Sequence, residues 1–194
     1  MSTIVKSELS PVMHQLLMHS ACARAAYEAA AAALERSGHH VIAHAFAFTA
    51  RQEGEHTAIL QDMLGTAVQA VAQRIAIGSD AAGLLRRALR HESTCARILY
   101  PAAWREAEEQ GQLRLAATLR RMAGTEETHA RRFRQYLKAL EDGSLTCSAD
   151  RTGWLCLACG GLHHGCEAPE KCEGCGRGAG HFIRSDFYPF AVGK

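Results

Sequence analysis

A chain of 194 residues with 22 basic against 20 acidic side chains has no charge surplus with which to grip a nucleic-acid backbone or an anionic membrane surface. Its apolar runs are alanine-rich and far shorter than the ~20 residues a membrane-spanning helix requires, and Met1 to Pro11 lacks the apolar core of a signal peptide, so a cytoplasmic protein is expected. In that reducing setting the 8 cysteines read as metal ligands or free thiols before disulfides, and 11 histidines accompany them.

The length suits one ordinary domain plus a small one. From about Leu9 to Arg36 alanine is abundant and β-branched residues are few, which predicts a helix stopped by Ser37-Gly38. A second helix is predicted from about His39 to Leu64, ended by Gly65. Residues 66–79 form a longer connection whose Val68, Val71 and Ile75 fit a short crossover helix. A third helix runs from Asp80, a suitable N-cap, to Gln110, with Gly111 as the break and Pro101 predicting a kink near Tyr100. The fourth runs from Gln112 to Glu141 and ends at Asp142-Gly143. The expected fold is therefore mainly α: a four-helix bundle over residues 1–143 with one long connection, the ferritin-like arrangement. Residues 144–153 read as a polar linker. Residues 154–194 are rich in Gly and Cys and poor in helix formers, and their aromatic tail, Asp186 to Phe190, is expected to pack on a neighbouring surface.

Two tetrapeptides of the bundle carry its chemistry, Glu53-Gly54-Glu55-His56 and Glu126-Glu127-Thr128-His129. Positions i and i+3 share a helix face, so Glu53 can aim with His56, and Glu126 with His129, at a single atom. A Glu-x-x-His pair from each of two helices, joined by carboxylates from the other two, is how helical bundles build two-metal sites. The flanks repeat as well: Cys22-Ala23-Arg24-Ala25-Ala26-Tyr27 returns 73 positions later as Cys95-Ala96-Arg97-Ile98-Leu99-Tyr100. Glu53 and Glu126 stand at the same offset, as do His56 and His129. The bundle is an internally duplicated helical hairpin with its metal-type residues in register. In the small domain, Cys156-x-x-Cys159 and Cys172-x-x-Cys175 flank 12 residues and place four thiolates as a tetrahedral set for iron or zinc. So short a segment cannot bury enough apolar surface alone, and the metal supplies much of its stability. Cys166, off this spacing, reads as a free thiol.

A duplicated Glu-x-x-His bundle followed by a four-cysteine domain resembles the rubrerythrins, and the resemblance covers nearly the whole chain. Trp154, Cys156, Cys159-Gly160, His163, Gly165, Pro169-Glu170-Lys171-Cys172 and Cys175 match that family's rubredoxin-like pattern. The resemblance implies a di-iron site held by Glu53, His56, Glu92, Glu126 and His129, with Tyr27 and Tyr100 hydrogen-bonding beside the metals. It further implies a homodimer in which the thiolate-bound iron of one subunit feeds electrons to the di-iron site of the other. Hydrogen peroxide would be reduced to water with electrons from a reductase. Other readings of the same residues are a non-catalytic metal-binding or electron-carrier protein, and a ferritin-like iron oxidase.

Two positions depart from the family pattern. The first-helix glutamate falls on Ser20, and the second glutamate of the third helix falls on Cys95. With fewer carboxylates the site is more positive, which disfavours added positive charge and weakens metal binding. The repeat maps Glu92 onto His19 instead, and neighbouring helical positions are rotated by about 100°, so His19 and Ser20 cannot both face the metal. A small rotation of the first helix is expected to bring His19 into the ligand set. The alternative leaves His19 outside with water beside Ser20. Cys22 and Cys95, equivalent in the repeat, are expected to face the interior near the metals, as space-filling thiols or as groups that ligate or pair on oxidation.

Overall fold

The computed structural model describes residues 10–66 and 80–187. The crossover pattern at Val68, Val71 and Ile75 and the tail residues Tyr188, Pro189 and Phe190 lie outside the described residues. The first helix, α1 (Pro11–Arg36), starts where the Ser10 hydroxyl accepts the Met13 N–H at 3.2 Å and Pro11 fills a position that has no use for an N–H. A turn through Gly38 leads into α2 (His40–Leu64), which Gly65 ends at φ 62°, a left-handed conformation that suits glycine. The Asp80 carboxylate accepts the Gly83 N–H at 2.6 Å and opens α3 (Ala81–Thr94). The chain then runs through a π-helical turn, Cys95–Leu99, into α4 (Tyr100–Glu109), and α5 (Leu113–Glu141) closes the bundle.

The kink expected at Pro101 takes the form of that wider turn. Pro101 has no N–H for the carbonyl four residues back, and the Tyr100 N–H bonds to the Cys95 carbonyl five residues back. The chain absorbs one extra residue without breaking the helix. No helix among the described residues is long and apolar enough to cross a membrane.

Two apolar layers fill the bundle. One gathers Tyr27, Ile42, Phe46, Leu85, Phe133 and Tyr136, and the other Leu16, Leu17, Leu60, Leu99, Leu119 and Met122. The polar residues Ser20 on α1, Glu53 and His56 on α2, Glu92 on α3, and Glu126 and His129 on α5 fall between the two layers, and all are buried. Apolar matter above and below seals a charged stratum from water, an arrangement that persists only if the charges are compensated.

The small domain is a three-stranded antiparallel sheet in the order β2-β1-β3, formed by β1 (Cys147–Cys156), β2 (Leu162–Glu167) and β3 (Phe182–Arg184). Strand β1 begins inside the stretch that composition marks as a linker: Cys147 pairs with Glu167 and, after an irregularity, Thr152 with Gly165. Polar residues on an edge-exposed ribbon look like linker by composition, and only the pairing reveals the strand. Trp154 and Phe182 form the domain's core, with the Trp154 indole N–H donating to the Gly165 carbonyl at 3.1 Å. Ile183 reaches across into the apolar layer around Phe46. The Phe187 ring packs edge-on to Tyr136, whose hydroxyl donates to the Phe187 carbonyl at 3.1 Å. Gly180 lies so close to the α1–α2 turn that a Cβ there would sit 3.0 Å from the Gly38 carbonyl oxygen. The small domain is thus seated on one end of the bundle.

Candidate metal centres

In the buried stratum one oxygen or nitrogen from each of Glu53, Glu92, Glu126 and His129 lies within 4.8 Å of all the others. His129 Nδ1 stands 3.0 Å from Glu53 Oε1, 3.3 Å from Glu92 Oε2 and 3.4 Å from Glu126 Oε2. His56 Nδ1 stands 2.9 Å from Glu126 Oε1 and 3.6 Å from Glu53 Oε1. Each histidine therefore meets the carboxylate of its own helix and that of the other hairpin, as i, i+3 pairs on facing helices must. Tyr27 donates a short hydrogen bond to Glu92 Oε1. Tyr100, its counterpart in the repeat, has a buried hydroxyl beside Glu126 that completes no well-aligned hydrogen bond among the described residues.

The protonation pattern shows what this set demands. Burial and the neighbouring Glu126 push the Glu92 carboxyl well up. Burial also works against ionisation of Glu126 and Glu53, but hydrogen bonds from Glu92, His129 and His56 hold Glu126 well down, and those from His129 and His56 hold Glu53 down. His56 resists burial through Glu126 and Glu53 and is held at about 9, and His129 is raised well above its usual range by the same carboxylates and Glu92. By holding protons more tightly, Glu92, His56 and His129 offset the charge of Glu53 and Glu126. Carboxylate oxygens and imidazole nitrogens converging in a buried space are the donor set for a divalent or trivalent cation. Metal binding would displace those protons. The residues fit the group.

Ser20 takes an unexpected part. Its hydroxyl donates to Glu53 Oε2 at 3.0 Å and lies 3.2 Å from the Glu53 carbonyl, while Thr57 donates to the same carbonyl at 2.9 Å and sits 3.3 Å from Ser20 Oγ. Ser20, too short to reach a shared cation, orients the carboxylate that can. His19 is not among the carboxylate cluster: α1 turns Ser20 inward, and the His19 ring stacks on His91 at a centroid distance of 5.4 Å. The rotation of about 100° between adjacent positions is the physical reason that one faces in and the other sideways. Cys95 is buried with Sγ 3.6 Å from His91 Nε2, and burial together with Glu126, Glu92 and Glu53 pushes its thiol far up. Cys22 is half-buried and lines a cavity of about 770 Å³ with His19, Tyr27 and His91. Nothing in the spacing announced the bond from Ser20 to Glu53, because it depends on the rotation of α1 about its own axis.

In the small domain Cys156, Cys159, Cys172 and Cys175 come together. Sγ separations are 3.7 Å for Cys156–Cys175 and 3.6 Å for Cys159–Cys172. A tetrahedral ion bonded to sulfur at about 2.3 Å has an S–S edge of about 3.8 Å, so the four thiols already match such a site. Each knuckle turns through a glycine with positive φ, Gly160 at 78° and Gly176 at 74°, and the two N–H groups donate to Cys156 and Cys172 carbonyls at 2.8 Å. His163 Nε2 lies 3.6 Å from Cys172 Sγ and draws that thiol down to about 6. Such a donor beside sulfur tunes the potential of a bound iron.

No family model matches the chain. It is 34% identical to a rubrerythrin of Porphyromonas gingivalis over 163 residues, 82% of this chain and 81% of that protein. It is 33% identical to a rubrerythrin of Nitratidesulfovibrio vulgaris over 153 residues, 76% of this chain and 78% of the relative. A solved structure of a nigerythrin in its fully reduced, all-ferrous state matches with a TM-score of 0.61 and 26% identity, covering 95% of this chain and 91% of that one. A duplicated carboxylate–histidine stratum, a four-cysteine knuckle pair and this degree of identity over most of the length agree: the chain belongs to the rubrerythrin family.

Proposed function

We propose that this protein is a non-haem di-iron peroxidase that reduces hydrogen peroxide to water, as a homodimer supplied with electrons by a reductase. The observation that carries the reading is the buried convergence of Glu53, Glu92, Glu126 and His129, with His56 on its edge and the Tyr27 hydroxyl on Glu92. Glu53, Glu92, Glu126, His56 and His129 would hold iron in the bundle, and Cys156, Cys159, Cys172 and Cys175 a single iron in the small domain. Iron bound there would supply the two electrons that cleave the peroxide O–O bond, with the thiolate-held iron as a one-electron relay.

The chain's own share is charge, dryness and protons. The two apolar layers exclude bulk water and so strengthen every charge contact between them. The Tyr100 hydroxyl, buried beside Glu126, would donate a hydrogen bond to peroxide. Tyr27 fixes the orientation of Glu92 and keeps a proton within reach of it. Reduction of one peroxide to two waters takes up two protons, and Tyr27 and Tyr100, whose hydroxyls burial holds against ionisation, would keep O–H groups beside the metal ligands.

A second reading, a metal-binding or electron-carrying protein without turnover, is favoured by Ser20 and Cys95 at the family's carboxylate positions. One experiment separates the two. Iron-loaded protein is reduced anaerobically and mixed with one equivalent of peroxide per chain. The peroxidase reading expects rapid loss of peroxide with two electrons withdrawn per molecule and bleached four-cysteine iron regaining its colour. Peroxide persisting beside reduced, iron-loaded protein would sink that reading and leave the second.

A further inference from the structure

The carboxylate stratum does not use all the metal-binding side chains of the bundle. His19 on α1, His91 on α3 and Cys95 at the start of the π-helical turn form a group of their own, with one ligand atom of each within 4.8 Å of the other two. His91 and Cys95 are four positions apart, so they share a helix face, and the facing helix brings His19 alongside. Cys95 Sγ lies 3.6 Å from His91 Nε2. For a tetrahedral ion with a metal–nitrogen bond of about 2.05 Å and a metal–sulfur bond of about 2.3 Å, the N–S edge is about 3.6 Å. The His19 and His91 rings are 19° from parallel at a centroid distance of 5.4 Å, far enough apart for neighbouring nitrogens to serve one ion.

The surroundings fit a site with one open position. His19 and His91 line the cavity of about 770 Å³ that also meets Cys22, Tyr27 and Leu84, while Cys95 closes the group from the buried side. We propose that His19, His91 and Cys95 form a second metal site in the bundle, separate from the carboxylate cluster. It takes a zinc-class divalent ion through two imidazole nitrogens and one thiolate, with its fourth position facing the cavity. Two imidazoles and a thiolate are softer donors than carboxylates and select zinc or cobalt over the harder ions that oxygen ligands favour. Three protein ligands and an open position are the pattern of zinc sites that admit water or a small ligand. No residue is shared with the carboxylate cluster, so the inference stands apart from the peroxidase reading.

Cobalt(II) is the probe, because it takes zinc's place and reports thiolate ligation by its colour. The full chain carrying iron in its four-cysteine centre is titrated anaerobically with cobalt(II), and difference spectra are recorded. One saturable equivalent is expected to develop thiolate-to-cobalt charge-transfer absorption while the iron–thiolate spectrum stays constant. Cys95→Ala should abolish that absorption. His91→Ala and His19→Gln should each weaken cobalt binding by at least about tenfold, the loss that removing even a supporting partner produces. His19 is only half-buried, so His19→Gln keeps the prediction testable on a folded protein if Cys95→Ala disturbs the π-helical turn. Absence of the band in the parent, its survival in Cys95→Ala, or unchanged affinity in His19→Gln would each overturn the proposal. A simple S–H···N bond between Cys95 and His91 would then account for the contact.

Discussion

Ser20 shows how one short side chain changes the work of a position. Where the family pattern has a glutamate, this chain has a hydroxyl that grips the far oxygen of Glu53 and leaves Oε1 facing His129. Ser20→Ala should therefore loosen Glu53 and lower the iron affinity of the bundle about tenfold, read by competition with a chelator, while the iron of the four-cysteine centre is unaffected. His56 gives a second expectation. Its folded-state value of about 9 exceeds the ordinary 6.5, so the imidazolium stabilises the metal-free fold in full below pH 6.5. That contribution fades as pH climbs from 6.5 through 9. Denaturation of metal-free protein, followed by helix circular dichroism, should show stability falling across this window. The decline should shrink once metal occupies the cluster, because the ring then gives up its proton to the ion. A flat profile in the metal-free protein would contradict the charge pattern assigned to the stratum.

Among the elements, α3 has the most to position, since Glu92, His91 and Cys95 all depend on where it starts and how it turns. Its start rests on the Asp80 cap. Asp80→Ala should cost about 1 kcal/mol of stability in denaturant unfolding and leave metal stoichiometry unchanged, because the cap lies three turns from Glu92. Helix limits were legible in the sequence because caps and glycines are local signals: Ser37-Gly38, Gly65, Asp80 and Gly111 mark them within a residue or so. The gathering of Glu53, His56, Glu126 and His129 in one place was legible too, since a repeat in register sets both Glu-x-x-His faces towards each other, whereas the closest partner of each histidine was not. What could not be read is rotation about a helix axis. Whether His19 or Ser20 faces the metal depends on how alanine-rich α1 beds against α2, and whether Pro101 bends or widens the helix depends on the carbonyls around it. Strand β1 was hidden for the same kind of reason, as its early residues pair without being buried.

At the scale of the molecule, the small domain's fold and its seat on the bundle are coupled. Ile183 and Phe187 belong to the small domain's last strand and turn, yet pack on bundle residues. Cys172→Ala should release the metal of the four-cysteine site and unfold residues 147–184, since Trp154 and Phe182 alone are too small a core. Limited proteolysis should then cut after α5 while a fragment spanning α1 to α5 survives, and equal metal content in mutant and parent would refute the assignment. The duplicated bundle carries one further consequence. Tyr27 and Tyr100 are copies of one another, but one is tied to Glu92 while the other, beside Glu126, completes no well-aligned hydrogen bond among the described residues, since the carboxylate that would match Glu92 in the first half is absent. Two halves descended from one hairpin have become a left hand and a right hand. A molecule with interchangeable ends, lodged between them, meets an uncommitted hydroxyl at one end only, so the scaffold names its ends before any chemistry begins.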